Sequence, residues 1–323
     1  MFNTIIYVIT ILLALVSVAF FTLLERKFLS LRQFRKGPNK VGWFGILQPF
    51  ADAVKLFTNE IITPINRNKN FFLLIAPATL GLALVFWVIM QVNFRYLNIK
   101  LAMMAFLVIS GLSVFPIFFA GWRSNRRYAF LGSLRARAQT ISYEISLIFF
   151  LLTVMILGNG YLIRRDYRFP LLVLNFPILV IWVVTIISET NRAPFDFAEG
   201  ERELVSGFNI EYSSGGFGLL FLAEISNILF MCIITRCLFF GSNIIMLFGS
   251  TALFVLLFLS TRTSYPRLRY DLLITFFWLY LLPQSFFFFV LTCFSFAKLY
   301  QQKPFHVCDD CSRQITKTLA LYT

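Results

Sequence analysis

Apolar residues run for about 20 positions at a time along this chain, and short polar stretches separate the runs. A helix needs about 20 apolar residues to cross a bilayer. The pattern predicts eight such helices, at approximately 2–24, 71–92, 101–122, 138–158, 169–188, 214–235, 243–261 and 272–297. Six of them hold no charged residue; the fourth carries Glu144 and the sixth Glu224. The runs are continuously apolar rather than alternating, which favours helical spans over a barrel. The expected fold is an all-α polytopic membrane protein of about eight spans, a single membrane domain over 1–297 with an extension over 298–323.

The first polar stretch, about 26–70, is the longest. Gly37, Pro38, Asn39 and Gly42 break it, and beyond them Phe44, Leu47, Phe50, Ala51, Val54 and Leu56 recur at helical spacing beside Asp52 and Lys55. That pattern predicts a short amphipathic helix along the membrane interface. The other loops on this side fall at about 123–137, 189–213 and 262–271. The first apolar run has no basic residues before it and exceeds the ~7–15 residues of a signal-peptide core, so it reads as a retained span.

Composition agrees: 59% of the 323 residues are hydrophobic and 14% charged, with a mean hydropathy of +0.77. The net charge of +14 is a matter of orientation rather than of nucleic acid. The loops after helices one, three, five and seven carry 19 of the 29 Lys and Arg. By the positive-inside rule they face the cytoplasm or the mitochondrial matrix, with both termini opposite. Their charge also suits anionic lipid. The 41 Phe residues fit AT-biased coding in a small organellar genome.

Against this basic background, Glu189 to Glu211, ETNRAPFDFAEGERELVSGFNIE, holds six of the fifteen acids. With Pro194 as the first helical residue, Asp196, Glu199 and Glu203 share one helix face, where like charges repel. Arg192 and Arg202 partly compensate. The stretch is either a solvated acidic loop or a proton-exchanging carboxylate array. Glu144 and Glu224 point to the array. An acid inside a span costs roughly 2.5–3.5 kcal/mol on insertion scales and is by default a functional group facing the bundle interior. The spans offer almost no cations to pair with them, Arg236 lying at the far end of helix six from Glu224, so neutral acids near a hydrated cavity are expected. No metal site is expected: HVCDDC (His306 to Cys311) supplies three potential ligands, one short of a closed zinc site, and Cys232, Cys237 and Cys293 lie in spans.

Three blocks carry a family resemblance: ERKFLSLRQFRKGPNKVGWFGILQPFADAVKLFTNE (25–60), SNRRYAFLGSLRARAQTISYE (124–144) and ETNRAPFDFAEGERELVSGFNIEYSSGGFGLLFLAE (189–224). SYPRLRYDLLITFFWLYLLP (264–283) is a weaker fourth. In these words and in their order the chain resembles the subunit 1 family of NADH dehydrogenase, the quinone-site membrane subunit of respiratory complex I. It departs at Ile225, where the family usually has Tyr, at Leu272, usually Gln, and at Leu279, usually Lys. Arg126, Arg127 and Arg202 are more basic than usual, and the tail beyond about Lys298 has no counterpart.

The resemblance implies a subunit without a redox centre or cofactor of its own. It takes ubiquinone as substrate, with FMN and iron–sulfur clusters in partner subunits. It implies a place in the mitochondrial inner membrane among the other complex I subunits, with cardiolipin as a fitting anionic lipid. Arg26, Arg35, Asp52 and Arg269 are then candidates for the quinone tunnel. Glu144, Glu189, Asp196, Glu199, Glu201, Glu203, Glu211 and Glu224 are candidates for a carboxylate chain coupling quinone reduction to proton translocation. Rival readings are a proton- or sodium-coupled secondary transporter, whose internal repeats and matched broken helices are not evident here, the corresponding subunit of an energy-converting hydrogenase, and a structural anchor.

Overall fold

The structure, a computed structural model, describes residues 2–60, 69–95, 102–157, 176–196, 212–240 and 244–302. Helices and short turns make up these residues, with no strand among them. The order is α1 (Phe2–Arg32), a 3-10 turn (Trp43–Gly45), α2 (Gln48–Thr58), α3 (Lys69–Arg95), α4 (Ala102–Arg123), α5 (Arg127–Leu157), α6 (Phe176–Glu189), α7 (Ser214–Phe239), α8 (Ile244–Ser264), α9 (Tyr270–Phe276), a π turn (Phe277–Leu281) and α10 (Leu282–Gln302).

Among the described residues, six helices are long and apolar enough to cross a membrane. Two more of the eight expected spans meet helices: α6, of 14 described residues, within 169–188, and α8, of 21, at 243–261. A 21-residue helix is roughly 32 Å long, about the thickness of a hydrocarbon core.

Several helices outrun their apolar stretches. α1 continues to Arg32, so Arg26 sits on a helix and not in the loop. α5 begins at Arg127, so Arg135 and Arg137, expected in a loop over 123–137, are helical. Apolarity marks what the bilayer covers, whereas intrahelical hydrogen bonding continues until a breaker stops it. The expected last span is likewise not one regular helix, because a π turn interrupts it.

α7 packs against α1, α2, α3 and α8, while α5 packs against α4, α6 and α10. These two are the most enclosed of the six long spans, with 61% of the α5 window and 56% of the α7 window buried, against 17–33% for the others. They are also the two that carry Glu144 and Glu224, so the intramembrane acids sit on interior helices. Aromatic packing closes the apolar part of the bundle. Phe86 of α3 stacks on Phe230 of α7 at 4.8 Å and Phe150 of α5 on Trp182 of α6 at 4.3 Å. Stacked pairs of this kind add about 0.5–1.5 kcal/mol to area burial.

The expected amphipathic helix is met in part by α2, which starts only at Gln48, Phe44 lying before it in the 3-10 turn at φ +53° and Leu47 at its N-cap. Pro49 is in its first turn, where its missing N–H is no loss. Leu56 and Phe57 approach Gly218 and Gly215 at the start of α7. Phe44, Leu47, Phe50 and Val54 remain exposed, so the apolar stripe faces outward. Lys27 Nζ donates to the Phe44 carbonyl at 2.6 Å and Arg26 pairs with Asp52, tying the segment back to α1.

Candidate functional site

After α6 the chain turns sharply over 190–196. Pro194 does not open a helix as the sequence suggested: Phe195 N–H bonds to the Arg192 carbonyl at 2.9 Å in a turn, and Asn191 has φ +49°. The reason is tertiary. Gln139 of α5, fully buried, donates through Nε2 to the carbonyls of both Ser188 (3.1 Å) and Phe195 (2.9 Å). The Leu268 N–H donates to the Pro194 carbonyl at 3.2 Å, and Arg267 pairs with Asp196 at 2.9 Å. The turn is thus pinned from two sides, a global arrangement that overrides local helix signals.

This pinning directs Arg192 into the bundle. Its guanidinium lies 3.5 Å from Glu25 of α1 and 3.6 Å from Glu224 of α7, and 5.4 Å from the Phe221 ring centroid. Arg262 of α8 forms a second, closer pair with Glu25. The expectation that Glu224 lacks a nearby cation is therefore corrected. Only cations within the spans were counted, whereas this one reaches in from a loop. Arg236, at the far end of α7, is fully buried.

On Glu224, which Arg192 contacts, opens a cavity of about 90 Å³ between α3, α4, α5, α6 and α7. Glu189 and Glu224 line it, with Tyr143, Thr140, Ser113, Thr79, Asn191 and Asn227 as its other polar walls and Phe86 and Met231 among its apolar ones. A smaller void of about 10 Å³ shares Ser113, Thr140, Tyr143 and Glu189 and adds Ser110 and Glu144. The two voids are neighbours with common walls, Glu224 and Glu189 on the larger and Glu189 and Glu144 on the smaller, and this row of three acids makes up a polar track. The Tyr143 hydroxyl donates to the Glu189 carbonyl at 3.4 Å. Ser113 and Thr140 donate to the carbonyls of Ser110 and Arg137, which leaves their lone pairs as acceptors.

Several polar atoms around the track have no hydrogen-bond partner among the described residues. They are Glu189 Oε2, Asn191 Oδ1, Asn227 Oδ1 and, on Arg192, Nε and Nη2. Buried polar atoms in native proteins are nearly always paired, with protein or with ordered water. The space beside them suffices for a few waters, and several polar partners converge on it. At about 90 Å³ it falls well short of the ~300–1,000 Å³ of a small-molecule pocket. The site is suited to protons and water rather than to an organic ligand.

The other sequence candidates are more dispersed. Arg26 and Asp52 meet, Asp52 also accepting from Gln48 at 2.9 Å. Arg35 is exposed just past α1. Arg269 is mostly exposed and pairs with Asp271 at 3.3 Å. Asp196 pairs with Arg267 at the surface end of the turn. Glu199, Glu201, Glu203 and Glu211 lie outside the described residues, as does the HVCDDC word.

Sequence reasoning passed over Glu25, Gln139 and Tyr143. Glu25 opens the first family-like block and Gln139 and Tyr143 stand in the second, so the blocks contained them. Their polarity at the edge of a span was the available signal.

The profile of the NADH dehydrogenase family matches residues 5–293. A protein of Sarcophilus harrisii named NADH-ubiquinone oxidoreductase chain 1 is 44% identical over 296 residues, covering 88% of this chain and 92% of its own length. Proteins of the same name from Trichosurus vulpecula (45% over 294 residues, 87% and 92%) and Aedes aegypti (46% over 282 residues, 85% and 90%) are similarly close. With a profile match spanning most of the chain and relatives at this identity, the chain belongs to the NADH dehydrogenase family.

Proposed function

We propose that this chain is a core membrane subunit of NADH:ubiquinone oxidoreductase, respiratory complex I, in the mitochondrial inner membrane. In this reading it helps wall the ubiquinone path and couples quinone reduction to proton translocation. It carries no redox centre; FMN and iron–sulfur clusters belong to partner subunits, and ubiquinone is the substrate. The printed names of its relatives support membership of the complex. Six long apolar helices among the described residues support a multi-pass place in the membrane.

The observation that carries the coupling role is the row of Glu224, Glu189 and Glu144 on two neighbouring voids that share Ser113, Thr140, Tyr143 and Glu189 as walls. Quinone reduction consumes protons together with electrons, so charge changes at the quinone must be answered by proton movement nearby. A row of carboxylates, hydroxyls and water-sized space inside low-dielectric protein can pass protons by short transfers. There each charge is felt by its neighbours far more strongly than in water. Arg192, between Glu25 and Glu224, links the track to the ion pairs at the loop surface. Asp196, and Glu199, Glu201, Glu203 and Glu211 beyond it, would extend the same carboxylate path. Arg26 with Asp52, Arg35 and Arg269 remain the candidates for shaping the quinone entrance. Exposed apolar residues of α2 suit contact with lipid tails or a partner subunit, and the basic loops suit cardiolipin.

Glu144→Gln and Glu224→Gln in the assembled complex test the reading. Each preserves size and removes titration. Quinone-dependent NADH oxidation or its coupled proton transport should drop at least tenfold, while NADH oxidation by a hydrophilic artificial acceptor stays normal. Full turnover with full pumping in both variants would remove the coupling role.

A further inference from the structure

We infer that Gly111 of α4 is a positioning residue for the Glu144 carboxyl group. A Cβ built at Gly111 would stand 2.8 Å from Glu144 Oε1 and 3.8 Å from its Cδ, and no other atom outside its own helix comes within 4 Å among the described residues. The missing side chain is therefore filled by a carboxyl group, not by the backbone of a neighbouring helix. Other helical glycines differ. Gly81 has open space, and Gly121 is packed against Ser133 and the Ala129 carbonyl. Glycine in a spanning helix lets a neighbouring group approach the backbone closely, and at position 111 that group is the Glu144 carboxyl.

The consequence is directional. Glu144 reaches from α5 across to α4 and ends beside Ser110 and Ser113, on the void it shares with Glu189. A methyl at 111 would meet the far end of a flexible side chain, so the carboxylate would swing aside while the helices stay in place. The fold would survive and the track would lose one of its stations. This inference rests on the carboxylate path proposed above.

The test is Gly111→Ala in the assembled complex, with Gly81→Ala as the control for the same chemical change in open space. Gly111→Ala should reduce quinone-dependent turnover by about tenfold to a hundredfold, a misplacement of ~1 Å costing up to about a hundredfold. The KM for quinone and the artificial-acceptor rate should be unchanged, and Gly81→Ala should be near normal. In a Glu144→Asp background, where the shorter acid does not reach the new methyl, adding Gly111→Ala should bring no further loss. Equal behaviour of the two glycine variants, or a full multiplicative loss in the Asp background, would overturn the proposal. If Gly111→Ala alone fails to assemble, restored assembly in the double variant supports the inference and its absence refutes it. Normal turnover and pumping in Glu144→Gln would sink the path itself, and with it the role of Gly111. A damaging Glu144→Gln beside a harmless Gly111→Ala would sink the positioning role alone.

Discussion

Arg192 is the residue on which the charged interior depends. Its side chain is 13% exposed and lies between Glu25, 8%, and Glu224, 21%. Removing one partner of a buried ion pair costs up to about 3–5 kcal/mol, and less here because Arg262 still pairs with Glu25. Arg192→Met should therefore lower the thermal midpoint of the purified complex clearly. Arg192→Lys should recover only part of the loss, because one ammonium cannot face two carboxylates as a forked guanidinium does. Indistinguishable Met and Lys variants would show that charge is not its contribution. The Arg26–Asp52 pair is the contrasting case. With Arg26 51% exposed, the pair is worth less than ~1 kcal/mol, so Arg26→Met should leave stability unchanged. A fall in quinone turnover in that variant would then report on the quinone path, and unchanged quinone kinetics would exclude Arg26 from it.

Among the elements, the turn after α6 is held on its buried side by one side chain of α5. Gln139 serves two buried carbonyls; that of Ser188 also accepts from the Asn191 N–H at 3.3 Å, whereas no other donor to that of Phe195 is seen among the described residues. A buried group left unsatisfied costs about 1–3 kcal/mol, so Gln139→Leu, similar in size and orphaning the Phe195 carbonyl, should destabilise by about that much. It should also release Arg192, lowering coupled turnover; a melting curve and a turnover assay on the same preparation check both. The π turn at Phe277–Leu281 is a second element-level feature. It places Phe277 in the core, 6.1 Å from the Tyr143 ring, and Trp278 Nε1 3.3 Å from Ser142 Oγ. A π turn amounts to one residue inserted into an α-helix. Deleting the exposed Leu279 should therefore restore a regular helix with both flanks in register, and the complex should still assemble. Failed assembly would mean that the bulge itself is required.

Across the whole molecule, the asymmetry of Lys and Arg predicts that both termini face the intermembrane space. A membrane-impermeant thiol reagent applied to intact inner membrane should label Cys308 and Cys311. Cys232 and Cys237 are buried and Cys293 is half-buried within α10, so signal from the chain would come from its tail. Labelling that requires opening the matrix side would invert the topology.

The class of fold was legible from apolar runs alone, because a bilayer demands long, internally hydrogen-bonded helices and little else satisfies it. Glu144 and Glu224 stood out for a related reason: an acid in such a run is costly unless it is neutral, paired or hydrated. The family-like words marked Glu25, Arg192 and Gln139 only as members of motifs. What they do was decided by tertiary structure. Gln139 overrides the helix signal at Pro194, and the turn it holds carries a loop arginine in to acids of two different spans. The void lined by Glu224 and Glu189 exists only where five helices converge, Glu144 lies on a smaller neighbouring void, and the space that receives Glu144 belongs to a glycine on another helix. Periodicity reports which face of a helix is apolar. Contacts between residues far apart in the chain depend on how those faces are assembled, and that is set by packing of the whole bundle.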